Sequence, residues 1–266
     1  MHRSGTSSIA GAFSLLGGTP PRTLMPAAED NPRGFWESAV LMEYHDRLLK
    51  AGGASWRDWR TFPLPGVLAE HPEFLEEGRR LLESEFGDSA LIVLKDPRIC
   101  RFFPLWETLL SEVGYRTVVV FPLRSPVEVA ASLTSRNDMN EVEALRLWLR
   151  HVLDAERASR GYPRVFLRWT DFLSDWRKAV STVSQALDLA IEANDVARSV
   201  MVDEFLSGDL RRQVVCPSNG MVWVSDAYAV FDAFVQECEH ETGRNRLDEI
   251  RWMFDASCEL FADAAR

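Results

Sequence analysis

An α/β fold with three layers, a mostly parallel central sheet flanked by helices, is the architecture this sequence predicts. Two observations point to it. Three short runs rich in β-branched and aliphatic side chains, Ala90 to Lys95, Thr117 to Leu123 and Val165 to Trp169, read as buried strands. Segments with helical spacing separate them, and alternating strands and helices imply parallel pairing through right-handed crossovers, with ligands at the carboxyl ends of the strands.

The helices follow in order. Ile9, Phe13 and Leu16 recur at helical spacing, and Gly17-Gly18 closes that segment. A second helix is expected over Glu37 to Lys50, with Val40, Tyr44 and Leu48 on one face, and a third over Pro104 to Val113, bounded by proline and Gly114. Pro126 suits the first position of another. Asn140 to Ser159, Thr170 to Leu187 and two C-terminal stretches complete the set. The loop Trp56-Arg57-Asp58-Trp59-Arg60 reads either as surface packing of two tryptophans or as a substrate wall.

Composition narrows the function. The 266 residues fit one domain, residues 1–266, with 46% hydrophobic and 26% charged side chains, which argues against disorder. A net charge of -10 disfavours a nucleic-acid partner, so any anionic ligand has to be held locally. No apolar run is long enough for a membrane span. Cys100, Cys216, Cys238 and Cys258 are too scattered for a metal site and read as reduced thiols; with no secretion signal in view, a cytoplasmic location is expected.

Ser4-Gly5-Thr6-Ser7-Ser8 opens the first helix, whose leading N–H groups lack intrahelical partners. Gly5 permits a bend and close approach of an anion, the hydroxyls add donors, and Arg3 adds a fixed positive charge. The alternative is a plain helix cap. His2-Arg3-Ser4-Gly5-Thr6-Ser7-Ser8 resembles the 5′-phosphosulfate loop of sulfotransferases that use 3′-phosphoadenosine 5′-phosphosulfate (PAPS), in its arginine-bearing variant. It lacks the Gly-Lys-Ser/Thr ending of nucleotide triphosphatases, which counts against a P-loop kinase.

Further motifs join the resemblance. Arg124 at a strand end and Ser132, eight positions later on a helix, look like that family's 3′-phosphate site. Asn31-Pro32-Arg33-Gly34-Phe35-Trp36-Glu37 resembles a stretch of bacterial and carbohydrate sulfotransferases in which a glutamate is the proposed base. The resemblance makes Glu37 the candidate base, although an acid at a helix start also suits the helix dipole without catalytic duty. Lys95, in Lys95-Asp96-Pro97-Arg98, resembles the strand-end lysine that meets the sulfonate; the plainer reading is a lysine paired with Asp96. Asp96 either orients Lys95 or caps the next turn, and Arg98 faces acceptor or cofactor.

His45, His71, His151 and His240 match no motif and are expected at the surface or in packing, while His2 flanks the loop. Gly208-Asp209-Leu210-Arg211-Arg212-Gln213 resembles a late basic segment near the nucleotide, or is a solvated helix end. The resemblance thus implies a P-loop-like sulfotransferase fold and sulfonate transfer from PAPS, without a metal, to a hydroxyl or amine acceptor such as a glycan. The alternative is an inactive nucleotide-binding or interaction protein of that fold. The strand that the family places before the loop is expected either upstream of Met1 or lost.

Overall fold

The computed structural model describes residues 1–29, 31–206, 221–237 and 239–264, with side chains placed as far as residue 258. Two parallel strands, β1 (Val119–Leu123) and β2 (Arg164–Arg168), run in register with Phe121 opposite Phe166. Successive side chains point to opposite faces. Phe121, Leu123 and Phe166 therefore enter one core while Val120, Val165 and Leu167 enter another.

Helices cover both faces, as a parallel sheet requires. On the first lie α6 (Pro126–Asn137), α7 (Glu141–Ala158), α11 (Val222–Glu237) and α12 (Glu241–Ala264). On the second lie α1 (Thr6–Leu15), α8 (Trp169–Ser174), α9 (Trp176–Leu187) and α10 (Val196–Leu206). A third core joins α2 (Ala39–Ala51), α3 (Leu64–Glu70), α4 (Glu73–Phe86) and α5 (Phe103–Glu112) around Tyr44, Phe102 and Trp106. The α/β character matches expectation; the chain is mostly helical and the sheet is smaller, with two paired parallel strands among the described residues.

The expected strand Ala90 to Lys95 is corrected. That segment is extended, but its ladder reaches Thr19 alone: Thr19 donates to the Leu91 carbonyl at 2.8 Å and Val93 donates to the Thr19 carbonyl at 2.9 Å. Pro20 and Pro21 follow Thr19 and have no N–H to extend the pairing.

The helix ends follow their local chemistry. α1 closes as expected, with Gly18 donating to the Phe13 carbonyl at 3.0 Å and Gly17 to that of Ser14 at 3.1 Å. α2 begins later than Glu37 because the Ser38 hydroxyl caps it, accepting from the Leu41 amide at 3.0 Å. Its buried face carries Leu41 in place of the expected Val40. The expected helix Thr170 to Leu187 is split at Asp175, whose carboxylate caps α9 by accepting from the Lys178 amide at 2.9 Å. Asn140 caps α7 in the same manner.

Candidate functional site

The anion loop lies between β2's exit and α1. Arg3 and Gly5 both have positive φ, 61° and 79°, so the chain reverses sharply before Thr6 starts the helix. Trp169, the first residue after β2, explains why position 5 is glycine: a Cβ there would sit 2.2 Å from Cε3 of the indole. Trp169 is stacked in turn on Phe172, centroids 5.8 Å apart. Ser4 is buried, and Thr6, Ser7 and Ser8 lie half-buried at the helix start.

The two anchors read from the sequence meet. Arg3 Nε donates to Ser132 Oγ at 2.8 Å, and Arg124 Nη1 donates to the Arg3 carbonyl at 2.9 Å. One arginine thus reaches from the loop to α6, while the other, at the end of β1, holds the backbone of the loop. Arg124 also contacts buried Glu128 at 3.0 Å, an i,i+4 pair on α6 that offsets part of its charge.

Lys95 joins the remaining candidates. Its ammonium donates to Ser7 Oγ at 3.2 Å, to the Phe35 carbonyl at 3.0 Å, and to Glu37 Oε1. The side chains of Lys95 and Glu37 are 9% and 8% exposed, so the pair is desolvated and attraction within it is strong. Burial raises the Glu37 carboxyl, with Lys95 opposing the rise. Burial likewise lowers the Lys95 ammonium, partly offset by Glu37.

Glu37 precedes the Ser38 cap and so stands outside the first helical turn. The preceding turn aims it: Asn31 Nδ2 donates to the Gly34 carbonyl at 2.8 Å and Trp36 Nε1 to the Arg33 carbonyl at 3.1 Å. Trp36 then packs edge-on against Phe205 above Gly11 of α1.

Below Lys95 lies a network that the sequence did not reveal. Asp96 Oδ1 accepts from the Arg98 amide at 2.7 Å and from Arg98 Nε at 2.8 Å; Oδ2 pairs with Arg98 Nη2 at 2.6 Å and His45 Nδ1 at 2.9 Å. Trp106 Nε1 donates to His45 Nε2 at 2.7 Å, which fixes the histidine tautomer with its proton on Nδ1. Burial alone would raise the Asp96 carboxyl, but the charge of Arg98 and the hydrogen bonds from His45 and Arg98 overcome it and hold the group well below the ordinary carboxylate range.

Asp96 therefore caps the turn after Lys95 instead of pairing with the lysine. Arg98, 4% exposed, pairs with Asp96 and Asp46, and its guanidinium lies 4.0 Å from Glu37 Oε2.

The Trp56–Trp59 loop packs inward. Trp56 lies 5.0 Å from the His2 ring, and Trp59 sits beneath Arg146, 4.7 Å from its ring centroid. His45 and His151 are buried, in keeping with packing roles, and Cys100 and Cys258 are buried free thiols. Cys216, Cys238 and the segment 208–213 lie outside the described residues. Among the described residues no cluster of His, Cys, Asp and Glu could hold a metal ion, and no helix is long and apolar enough to cross a membrane.

Arg3, Ser4 to Ser8, Glu37, Lys95, Arg124 and Ser132 thus form one contiguous cluster at the carboxyl ends of β1 and of the extended segment 91–95. Comparison of the chain with protein-family models, curated proteins and solved structures gave no match.

Proposed function

We propose that the cluster binds PAPS and transfers its sulfonate to a hydroxyl or amine acceptor, with a sugar hydroxyl as the preferred class. The observation that carries the reading is the direct contact between the loop and the second anchor, through Arg3 to Ser132 and Arg124 to Arg3. Two arginines and a row of hydroxyls at a helix start fit a ligand bearing phosphate groups at the 3′ and 5′ positions of one ribose. Glycine at position 5 lets the loop pass directly against the Trp169 ring, where a Cβ would clash.

The donor would supply an activated sulfonate on a phosphate leaving group. In the proposed transfer, the acceptor oxygen forms a bond to sulfur while the bond from sulfur to the bridging phosphate oxygen breaks, and the electron pair leaves with 3′-phosphoadenosine 5′-phosphate. Glu37 takes the acceptor proton. Lys95, already against Ser7 of the loop, offsets the charge that grows on the sulfonate and the bridging oxygen, and Arg3 supports it. Arg124 and Ser132 hold the 3′-phosphate.

A nucleotide-binding protein without transfer activity is the second reading, favoured by one observation: Glu37 is already engaged by Lys95. Calorimetry with 3′-phosphoadenosine 5′-phosphate, followed by sulfonate transfer from PAPS to a panel of methyl glycosides and aliphatic alcohols, separates the two. Binding with transfer supports the first reading, and binding without it the second. Absence of binding rejects both.

A further inference from the structure

Glu37 stands at the end of a turn whose other side is pinned to α10. Between Phe35 and Glu37 lies Trp36, with φ 56°, a left-handed conformation that a bulky side chain rarely adopts. The residues on either side of it meet one ammonium, since the Phe35 carbonyl and the Glu37 carboxylate both accept from Lys95. A conformation of this kind persists where its surroundings enforce it. Here the indole Nε1 donates to the Arg33 carbonyl at 3.1 Å, and the ring stands edge-on to Phe205 with centroids 5.4 Å apart.

Both holds lead to α10. Arg33 Nη1 donates to the carbonyls of Glu204 and Phe205, at the C-terminal end of that helix. Carbonyls in the last turn have no intrahelical N–H to meet and carry the negative end of the helix dipole, so a guanidinium suits them.

The end of α10 is itself fixed. A Cβ at Gly11 of α1 would lie 2.4 Å from Phe205 Cζ and 2.7 Å from Trp36 Cε2, so helix, indole and phenyl ring meet without a gap. Further back along α10, Arg198 donates to the Leu16 carbonyl at 2.8 Å. Phe205 beside Gly11 and Arg198 beside Leu16 make the two helices antiparallel. α10 therefore brings its negative end toward the end of α1 that carries the anion loop, and Arg33 covers carbonyls that would otherwise oppose an anion there.

We infer that the C-terminal end of α10 assembles the site, and that Arg33 is a positioning residue: its grip on α10, relayed by Trp36, sets Glu37 against Lys95. The effect of this placement on catalysis rests on the sulfonate-transfer reading.

Trace acetylation of the full chain with acetic anhydride, read peptide by peptide in a mass spectrometer, tests the placement without nucleotide. Lys50 and Lys178 are exposed and serve as internal references, whereas Lys95 is buried. In Arg33→Ala the rate at Lys95, relative to the references, should rise by about tenfold or more, the effect of one lost charge-assisted hydrogen bond. Phe205→Leu keeps an apolar side chain but removes the ring beside Trp36, and should raise the rate as well. Arg33→Lys, whose ammonium can reach the same carbonyls, should recover part of the protection. Arg198→Ala removes a contact of the same kind at the far end of α10 and should leave Lys95 protected.

An unchanged rate at Lys95 in Arg33→Ala overturns the inference, and so does an equal rise in Arg198→Ala, which marks a general loosening of α10. If Arg33→Ala fails to fold, Phe205→Leu and Arg33→Lys decide: an unchanged rate in the first, or full exposure in the second, overturns it. Sulfonate transfer from PAPS should fall about tenfold or more in Arg33→Ala. Affinity for 3′-phosphoadenosine 5′-phosphate should stay within about twofold, because Arg33 grips α10 and not the phosphate contacts. Undiminished transfer with Lys95 exposed removes Arg33 from the positioning role. If the unaltered protein binds no nucleotide, the sulfonate-transfer reading fails while the acetylation rates still judge the placement.

Discussion

Gly5→Ala isolates the packing that shapes the anion loop. An alanine at φ 79° carries a backbone penalty of about 1 kcal/mol. Its Cβ would also lie 2.2, 2.5 and 2.6 Å from three carbons of the Trp169 ring, inside any real carbon contact. Trp169 is 2% exposed and stacked on Phe172, so it has little room to retreat, and overpacking of this kind costs about 1 to 3 kcal/mol. The combined loss is about 2 to 4 kcal/mol against a domain stability of about 5 to 15 kcal/mol.

Gly53→Ala is the matched control, with φ 68° and nothing within 4 Å of the methyl it would add, so it reports the backbone penalty alone, about 1 kcal/mol. Urea denaturation followed by tryptophan fluorescence gives both values. Equal losses for the two variants would refute the role assigned to Trp169, and so would a loss below about 1 kcal/mol at position 5.

Arg124→Ala should weaken binding of 3′-phosphoadenosine 5′-phosphate by at least about tenfold in calorimetry, the loss of one charge-assisted hydrogen bond. It should also lower stability by about 3 kcal/mol, because it strips the guanidinium from buried Glu128; unchanged affinity would move the 3′-phosphate site elsewhere. Glu37→Gln should reduce sulfonate transfer about a hundredfold or more, as expected for a lost general base, with nucleotide affinity little altered, and full activity would remove Glu37 from that role. Asp96 supplies a pH prediction. Its folded value is depressed below the ordinary 3.8, so its contribution to stability is present above that pH and is lost as the pH falls through the folded value. Asp96→Asn should therefore be less stable than the unaltered protein near neutrality, with the difference narrowing in acid, as read from denaturation midpoints at successive pH values.

Much of the cluster was legible because its members stand in local patterns. Ser4 to Ser8 mark a helix start, Pro126 marks the helix that carries Ser132, and Lys95 ends an extended apolar run. What the sequence concealed is longer in range. His45 joins Asp96 across 51 positions and Trp106 across 61, and no local spacing announces such a network. Glu128 was visible as an acid on α6, but its pairing with Arg124 depends on how β1 delivers the arginine.

The β reading of Ala90 to Lys95 failed for a related reason. Residue type gave the extended conformation, whereas hydrogen bonding depended on a neighbour interrupted by two prolines. Asp175 splitting the helix after β2 was a local capping signal that helical periodicity on both sides concealed.

Lys95 also has a kinetic consequence. One ammonium, at the end of the extended segment, ties Ser7 of the anion loop 88 positions away and the turn that holds both the Phe35 carbonyl and Glu37, 60 and 58 positions away. Freeing any one of them leaves the others holding a buried, less neutralised charge, so local openings in these segments are energetically linked. The anion loop, the turn at Phe35 and the end of the extended segment should open to solvent together, as a single exchanging unit, and the site is assembled or lost as a whole.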